Sequence, residues 1–134
     1  EEQSEPKKPA ASPLKLKVMD ISDMPIPKNS IKLYAMEYTK WFDYDKIKTK
    51  LVLRTRQPSD YITVSDGRKS LKSYFIDRKI PRQHRDEILL LADGSHILWI
   101  LGDRISEYYK IDENTTRVLQ ADWVGNRRPS RVSE

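Results

Sequence analysis

Nine lysines and arginines crowd the stretch from residue 54 to residue 85, against only three acids. They are Arg54, Arg56, Arg68, Lys69, Lys72, Arg78, Lys79, Arg82 and Arg85. The segment carries +6, whereas residues 1–50 carry +2 and residues 86–134 carry −3, so the excess of this +5 chain originates here. A surplus confined to a third of a fold makes a local positive field, and such a field acts on a polyanion. Lysines and arginines set in a row on rigid elements contact phosphates, and a few aimed guanidiniums add base or shape readout. Arg82 and Arg85 suit the second role, because a guanidinium can fork onto guanine. His84 between them is a surface histidine or a further phosphate contact.

Other chemistries lack their parts. There is no cysteine, which removes disulfides, thiolate zinc and cysteine nucleophiles. Gly67, Gly94, Gly102 and Gly125 stand apart, so no clustered glycine amides cradle a phosphate. Asp43 and Asp45 alternate and would share a strand face, but no histidine or third ligand lies near them in sequence. We expect no metal site and no catalytic residue. Arg54 and Arg56 also share a strand face; they either extend the basic surface or pair with Asp43 and Asp45. His96 reads as structural. Tyr108 and Tyr109 are adjacent, so on a strand one points inward and the outer one could stack on a base.

The elements that must position these residues are mostly strands. Period-two patterning predicts strands at Leu14–Met19, Ile31–Met36, Trp41–Asp45, from Leu51 to Arg54, Tyr61–Val64, Ile88–Ala92, His96–Leu101, Ile105–Ile111 and Thr115–Trp123. Met24–Asn29 holds two prolines and should be an edge or loop. Asp66-Gly67 and Asp93-Gly94 are turn signals, the second joining a hairpin. Ser70–Asp77 is the best helix: Leu71, Tyr74 and Phe75 fall on one arc, and Arg68, Lys69 and Lys72 on the opposite one. Lys69 and Lys72 near its N-terminus oppose the macrodipole, a conflict that a bound phosphate would relieve. Pro81 stops that helix and starts a second, Arg82–Glu87. Leu71, Phe75, Leu90, Leu98 and Trp99 should be buried together. The fold class is mostly β with one or two short α-helices (α+β), a compact β-sandwich-like domain.

One domain is expected at this length. Residues 1–13 and 124–134 are polar, proline-bearing ends, a disordered linker and a flexible tail around a domain at 14–123. No stretch approaches the ~18 apolar residues of a membrane span. No secretory signal is evident, so the expected location is cytoplasmic, without a membrane partner.

Several pieces occur in a recognisable order: Phe42-Asp43-Tyr44-Asp45-Lys46, an apolar strand ending in Arg-x-Arg (Leu51–Arg56), Gln57-Pro58-Ser59-Asp60, the run Lys69–Arg104 and Thr115–Leu119. Together they resemble the C-terminal domain of tRNA(Ile)-lysidine synthetase, a bacterial tRNA-modifying enzyme, over about residues 14–123. Two departures stand out. Ser59 replaces the family's usual glycine, and the insert before Lys69 is short. The resemblance implies a tRNA-binding segment that grips tRNA(Ile) at the acceptor stem. An N-terminal domain of the same parent chain, with a Ser-Gly-Gly-x-Asp-Ser loop missing here, would use ATP to attach lysine to the wobble cytidine. On that reading this segment takes no cofactor, ATP belongs to the parent enzyme, and the partners are tRNA(Ile) and the rest of the parent chain. The competing reading is a basic protein-interaction module for an acidic partner.

Overall fold

Apolar side chains here recur on both faces of the central strands, which requires a cover on each face. The computed structural model describes residues 13–24 and 38–124. In chain order the strands are β1 (Leu14–Asp20), β2 (Thr39–Asp43), β3 (Val52–Arg54), β4 (Tyr61–Val64), β5 (Gly67–Ser70), β6 (Leu90–Asp93), β7 (His96–Ile100), β8 (Arg104–Ile105) and β9 (Arg117–Trp123). Helices α1 (Leu71–Asp77) and α2 (Arg82–Arg85) lie between β5 and β6.

Strands β1, β9 and β2 form one antiparallel sheet. The second sheet runs β3-β6-β7-β4-β5, with β8 also on β7. One face of this larger sheet meets the smaller sheet: Leu91, Leu98, Trp99 and Tyr109 pack against Phe42, Leu119 and Ala121. Its other face takes α1, whose Leu71, Tyr74 and Phe75 pack on Ile62, Leu90, Ala92, Ile97 and Ile100. The mostly β, two-sheet class expected from the sequence is thus the one found.

A bulge allocates the hairpin's side chains. Leu91 faces Trp99 and Ala92 faces Ile97, which leaves Leu98 as an extra residue on β7. The bulge turns Leu98 and Trp99 to the same side. All five residues expected to share one core are buried, but Leu71 and Phe75 of α1 pack with Leu90 between helix and sheet, while Leu98 and Trp99 lie between the sheets. Strict alternation could not anticipate that split.

Other elements moved. Arg68 and Lys69 stand on β5, paired antiparallel with β4, and not on the helix. Ser70 caps α1, its Oγ accepting from Ser73 N at 3.0 Å, so the strand ends where the helix begins. Of the run predicted at Ile105–Ile111, only Ile105 lies in a strand, β8, where it follows Arg104. The predicted strand at Ile31–Met36, most of Met24–Asn29, and nearly all of the two polar ends lie outside the described residues.

Asp60 ties the layers together. Its side chain is nearly inaccessible, and its carboxylate accepts from Arg54 Nη1 at 2.7 Å and Nη2 at 2.9 Å. Gln57 N donates to the same carboxylate, and Leu71 N donates to the Asp60 carbonyl. The Gln57–Asp60 turn closes with Asp60 N on Gln57 O at 3.1 Å. Ser59 does not have a positive φ. The turn therefore does not demand the glycine usual in the family, and Pro58 presets its first central φ.

Breaking a buried pair from one side leaves an uncompensated charge. Asp60→Ala should lose about 3–5 kcal/mol of unfolding free energy by chemical denaturation, and Asp60→Leu combined with Arg54→Met should recover part of it. A loss under about 1 kcal/mol for Asp60→Ala would put the pair among ordinary surface contacts.

Candidate nucleic-acid interface

The nine cations separate into paired and unpaired groups. Arg54 is a scaffold residue: besides Asp60, Nη1 donates to Thr55 O and Nη2 to Gly94 O. Four of its five N–H donors are thereby spent, which removes it from the phosphate-contacting set. Its partner is Asp60 and not Asp43 or Asp45. Those aspartates serve the approach to β9 instead, Asp43 accepting from Thr115 Oγ1 in the preceding loop and Asp45 pairing with Arg117 at the start of the strand. Arg56 pairs with Asp86 at 2.8 Å and lies over the Phe75 ring. Lys69 pairs with Asp77. Arg78 pairs with Asp103 at 2.7 Å and covers Tyr74. Asp103 also accepts from Tyr74 Oη; burial and then this bond push the phenol up to about 12.

Lys72, Lys79 and Arg82 are exposed and have no acidic partner among the described residues. Lys79 and Arg82 flank the corner where α1 passes into α2, and Lys72 lies on the first turn of α1. Arg85 anchors that corner, its Nε donating to Ile80 O at 2.8 Å. Arg56, Lys72 and Asp86 line a shallow cleft of about 390 Å³ beside it, floored by Pro58 and Leu71. The expected phosphate seat at the N-terminus of α1 is not built. Leu71 N is bonded to Asp60, Ser73 N to Ser70, and Lys69 is elsewhere.

The exit from α1 places Lys79. Lys79 N bonds Ile76 O at 2.9 Å and Ile80 N bonds Phe75 O at 3.0 Å, a Schellman ending. Its left-handed position usually belongs to glycine, yet Lys79 occupies it at φ 59°. No sequence signal marked this, because Arg-Lys-Ile-Pro lacks the customary glycine.

Arg68 falls on the other side of the sheet. Thr63 is its cross-strand partner, and its guanidinium lies 4.5 Å from the Tyr61 ring centroid. Ile62 points toward α1, so Tyr61, Thr63 and Arg68 point away from it. There they meet His96, Tyr108 and Tyr109 around a cleft of about 400 Å³. His96 stacks on Tyr61 at 4.5 Å and shares a 2.8 Å hydrogen bond with Thr63. Burial, and then the Arg68 charge, hold its pKa below 6.5. Of the two tyrosines expected to point opposite ways, Tyr109 is buried and Tyr108 is 40% exposed. A loop, not a strand, presents them. Asp93 orders the cleft's rear, accepting from Lys48 N, Thr49 N, Thr49 Oγ1 and Tyr109 Oη. Burial opposes its ionisation, but those bonds outweigh burial and hold its carboxyl low; the same burial and bond push the Tyr109 phenol up.

A family model described as the TilS substrate C-terminal domain matches residues 51–123, over half of the chain. The chain belongs to that family. All nine candidate cations fall within the matched span. A tRNA(Ile)-lysidine synthase of Caldanaerobacter subterraneus subsp. tengcongensis is 47% identical over 90 residues, 66% of this chain and 19% of that protein. The tRNA(Ile)-lysidine synthase of Clostridium tetani is 40% identical over 97 residues, 71% of this chain and 21% of its own length. The chain thus spans about a fifth of the curated relatives it matches. A solved structure described as the crystal structure of the TilS C-terminal domain superposes with a TM-score of 0.60. That likeness covers 86% of each chain at 23% identity and shows the fold. Among the described residues no helix is long and apolar enough to cross a membrane, and no cluster of His, Cys, Asp or Glu could hold a metal.

Two outcomes follow from this geometry. Relieving the left-handed backbone should make Lys79→Gly more stable by roughly 0.5–1 kcal/mol in denaturant titration, net of glycine's entropy. A destabilised variant would mean that the lysine stem contributes packing that outweighs the strain. For His96 the depressed folded pKa sets the sign: the unfolded chain binds the proton more tightly. Stability is full above pH 6.5 and declines as pH falls from there toward the lower folded value. Denaturation midpoints taken between about pH 8 and pH 5 should show this decline, and His96→Gln should flatten it.

Proposed function

We propose that this domain grips tRNA(Ile) by its acceptor stem through the α1–α2 corner. A domain elsewhere in the parent enzyme then uses ATP to attach lysine to the wobble cytidine. The observation that carries this reading is the set Lys72, Lys79 and Arg82, exposed along α1 and at its passage into α2 without carboxylate partners among the described residues, in a chain of this family. Unpaired cations release phosphate counterions at full value, whereas paired ones must first give up a carboxylate. Membership of the family supports tRNA as the polyanion, since the matched relatives are tRNA(Ile)-lysidine synthases. The domain's own part is binding, with no cofactor of its own.

The three cations divide the work. Lys72 and Lys79 act as point charges on the backbone and carry no sequence information. Arg82 begins α2 directly after Pro81, and its planar fork suits a guanine edge or a pair of phosphate oxygens. Arg85 keeps its remaining guanidinium nitrogens for the same surface, although its Nε is committed to Ile80.

Titrating tRNA across salt tests the reading. Affinity should fall linearly in log-log form, by about 0.7–0.9 per phosphate contact. Lys72→Ala should weaken all tRNAs alike and flatten the slope by roughly one unit. Arg82→Ala should cost about 1–3 kcal/mol on the preferred tRNA and less on others. Unchanged affinity and slope in both variants would transfer the basic corner to an acidic protein partner.

A further inference from the structure

The tyrosine-lined cleft on the far side of the larger sheet is unused by a grip on paired RNA. We propose that it is a seat for one unstacked nucleobase, with Arg68 and Lys48 meeting the flanking phosphates. This rests on the tRNA-binding reading and adds to it a second, single-stranded contact.

Four rings converge there, Tyr61, His96, Tyr108 and Tyr109, linked by centroid distances of 4.5 to 5.0 Å. Most are braced. Tyr109 is fixed by Asp93, His96 by Thr63, and Tyr61 lies between His96 and Arg68. Tyr108 keeps 40% of its surface exposed, with the Lys46 ammonium 5.9 Å from its ring centroid, and a flat ligand would lie against this wall by displacing that flexible side chain. The cleft, at about 400 Å³, is in the range of small-molecule pockets and suits a single base.

The charges select among flat ligands. Arg68 and Lys48 are exposed at the mouth, and neither has an acidic partner among the described residues. A cationic guest would be repelled by them. The single Asp93 carboxylate offsets only part of that repulsion: two cations face it across the lining, and its four hydrogen bonds leave neither oxygen free to pair with a guest. His96 is neutral near pH 7, since its pKa lies below 6.5. It therefore stacks without attracting phosphate into the rear of the cleft. Aromatic walls with cations at the rim are the arrangement by which proteins hold single-stranded nucleic acid. The cleft opens away from α1, so it and the cations of α1 and α2 must be reached by different parts of one RNA.

The full chain should be titrated with an RNA hairpin bearing a short single-stranded extension, and with the same hairpin blunt-ended. A 2-aminopurine placed in turn at each extension position reports stacking. Wild type should prefer the extended RNA and quench the probe at one position. Tyr108→Ala should lose about 5- to 150-fold in affinity for the extended RNA and abolish the quench, leaving blunt-hairpin binding within about twofold. Tyr108→Phe should behave as wild type, since the ring and not the hydroxyl stacks, and an unchanged thermal midpoint for Tyr108→Ala excludes a folding defect. Lys72→Ala should weaken both RNAs and keep the quench. Equal binding of the two RNAs by wild type, or a Tyr108→Ala variant that retains preference and quench, would overturn the cleft while leaving the basic corner intact. Failure of wild type to bind either RNA would overturn the corner and the cleft together.

Discussion

The domain depends on one buried ion pair. Asp60 and Arg54 join β3, the Gln57–Asp60 turn, the start of α1 and, through Arg54 on Gly94 O, the β6–β7 turn. Tyr61 follows directly, and its N–H bonds Ser95 O at 2.9 Å. The pair therefore fixes the entry of β4, from which the two candidate surfaces diverge. Leu71 and Lys72 are placed on one side of that entry, and Tyr61 and Thr63 on the other. Such a pair gives weak net stability relative to an apolar substitute, but removal of one partner is costly. Its value here is geometric: it sets the relation between the start of α1 and the β6–β7 hairpin.

Magnitude decides which of the paired cations remain available to an RNA. Exposed ion pairs contribute about 0–1 kcal/mol, so a phosphate can displace the carboxylate at small cost. Arg78 is 56% exposed in its pair with Asp103, and Asp86 is 72% exposed beside Arg56. These arginines can exchange partners. Arg54 cannot, because its partner is 1% exposed and would be left charged and buried. The basic segment thus holds three kinds of cation: free at the α1–α2 corner and on β5, exchangeable at its margins, and locked in the scaffold.

Much of this was legible in the sequence. Strands β4 and β9, the amphipathic arc of α1 and the stop at Pro81 follow from periodicity and from proline's fixed geometry. What misled was the Arg68-Lys69 pair. Its charges fit the polar arc of a helix continued backward from Ser70, but the glycine at 67, with φ 121°, reverses the chain into a hairpin first. Adjacent residues on a strand point to opposite faces. Lys69 therefore goes to Asp77 under α1 while Arg68 goes to Tyr61 beyond the sheet. Similarly, Leu98 and Trp99 break alternation because of a one-residue bulge that neither residue type announces. His96 illegibly joins three tyrosines distant in sequence, and only the tertiary fold assembles them.

Lys79 shows how the structure balances folding against surface charge. A glycine would complete the α1 ending with less strain, and the neighbouring contacts would not need to change, since Ile80 already closes against the core. A lysine there accepts an unfavourable backbone to hold an exposed cation between α1 and α2, with no acidic partner among the described residues. Strain maintained at an exposed residue points to a role for its side chain at the surface. It is explained if the corner is a working surface. The same reasoning does not extend to Arg85, whose Nε bond to Ile80 O gives it a structural reason to be present. Where a cation has both strain against it and no partner for it, its charge is the remaining ground for its place in the chain.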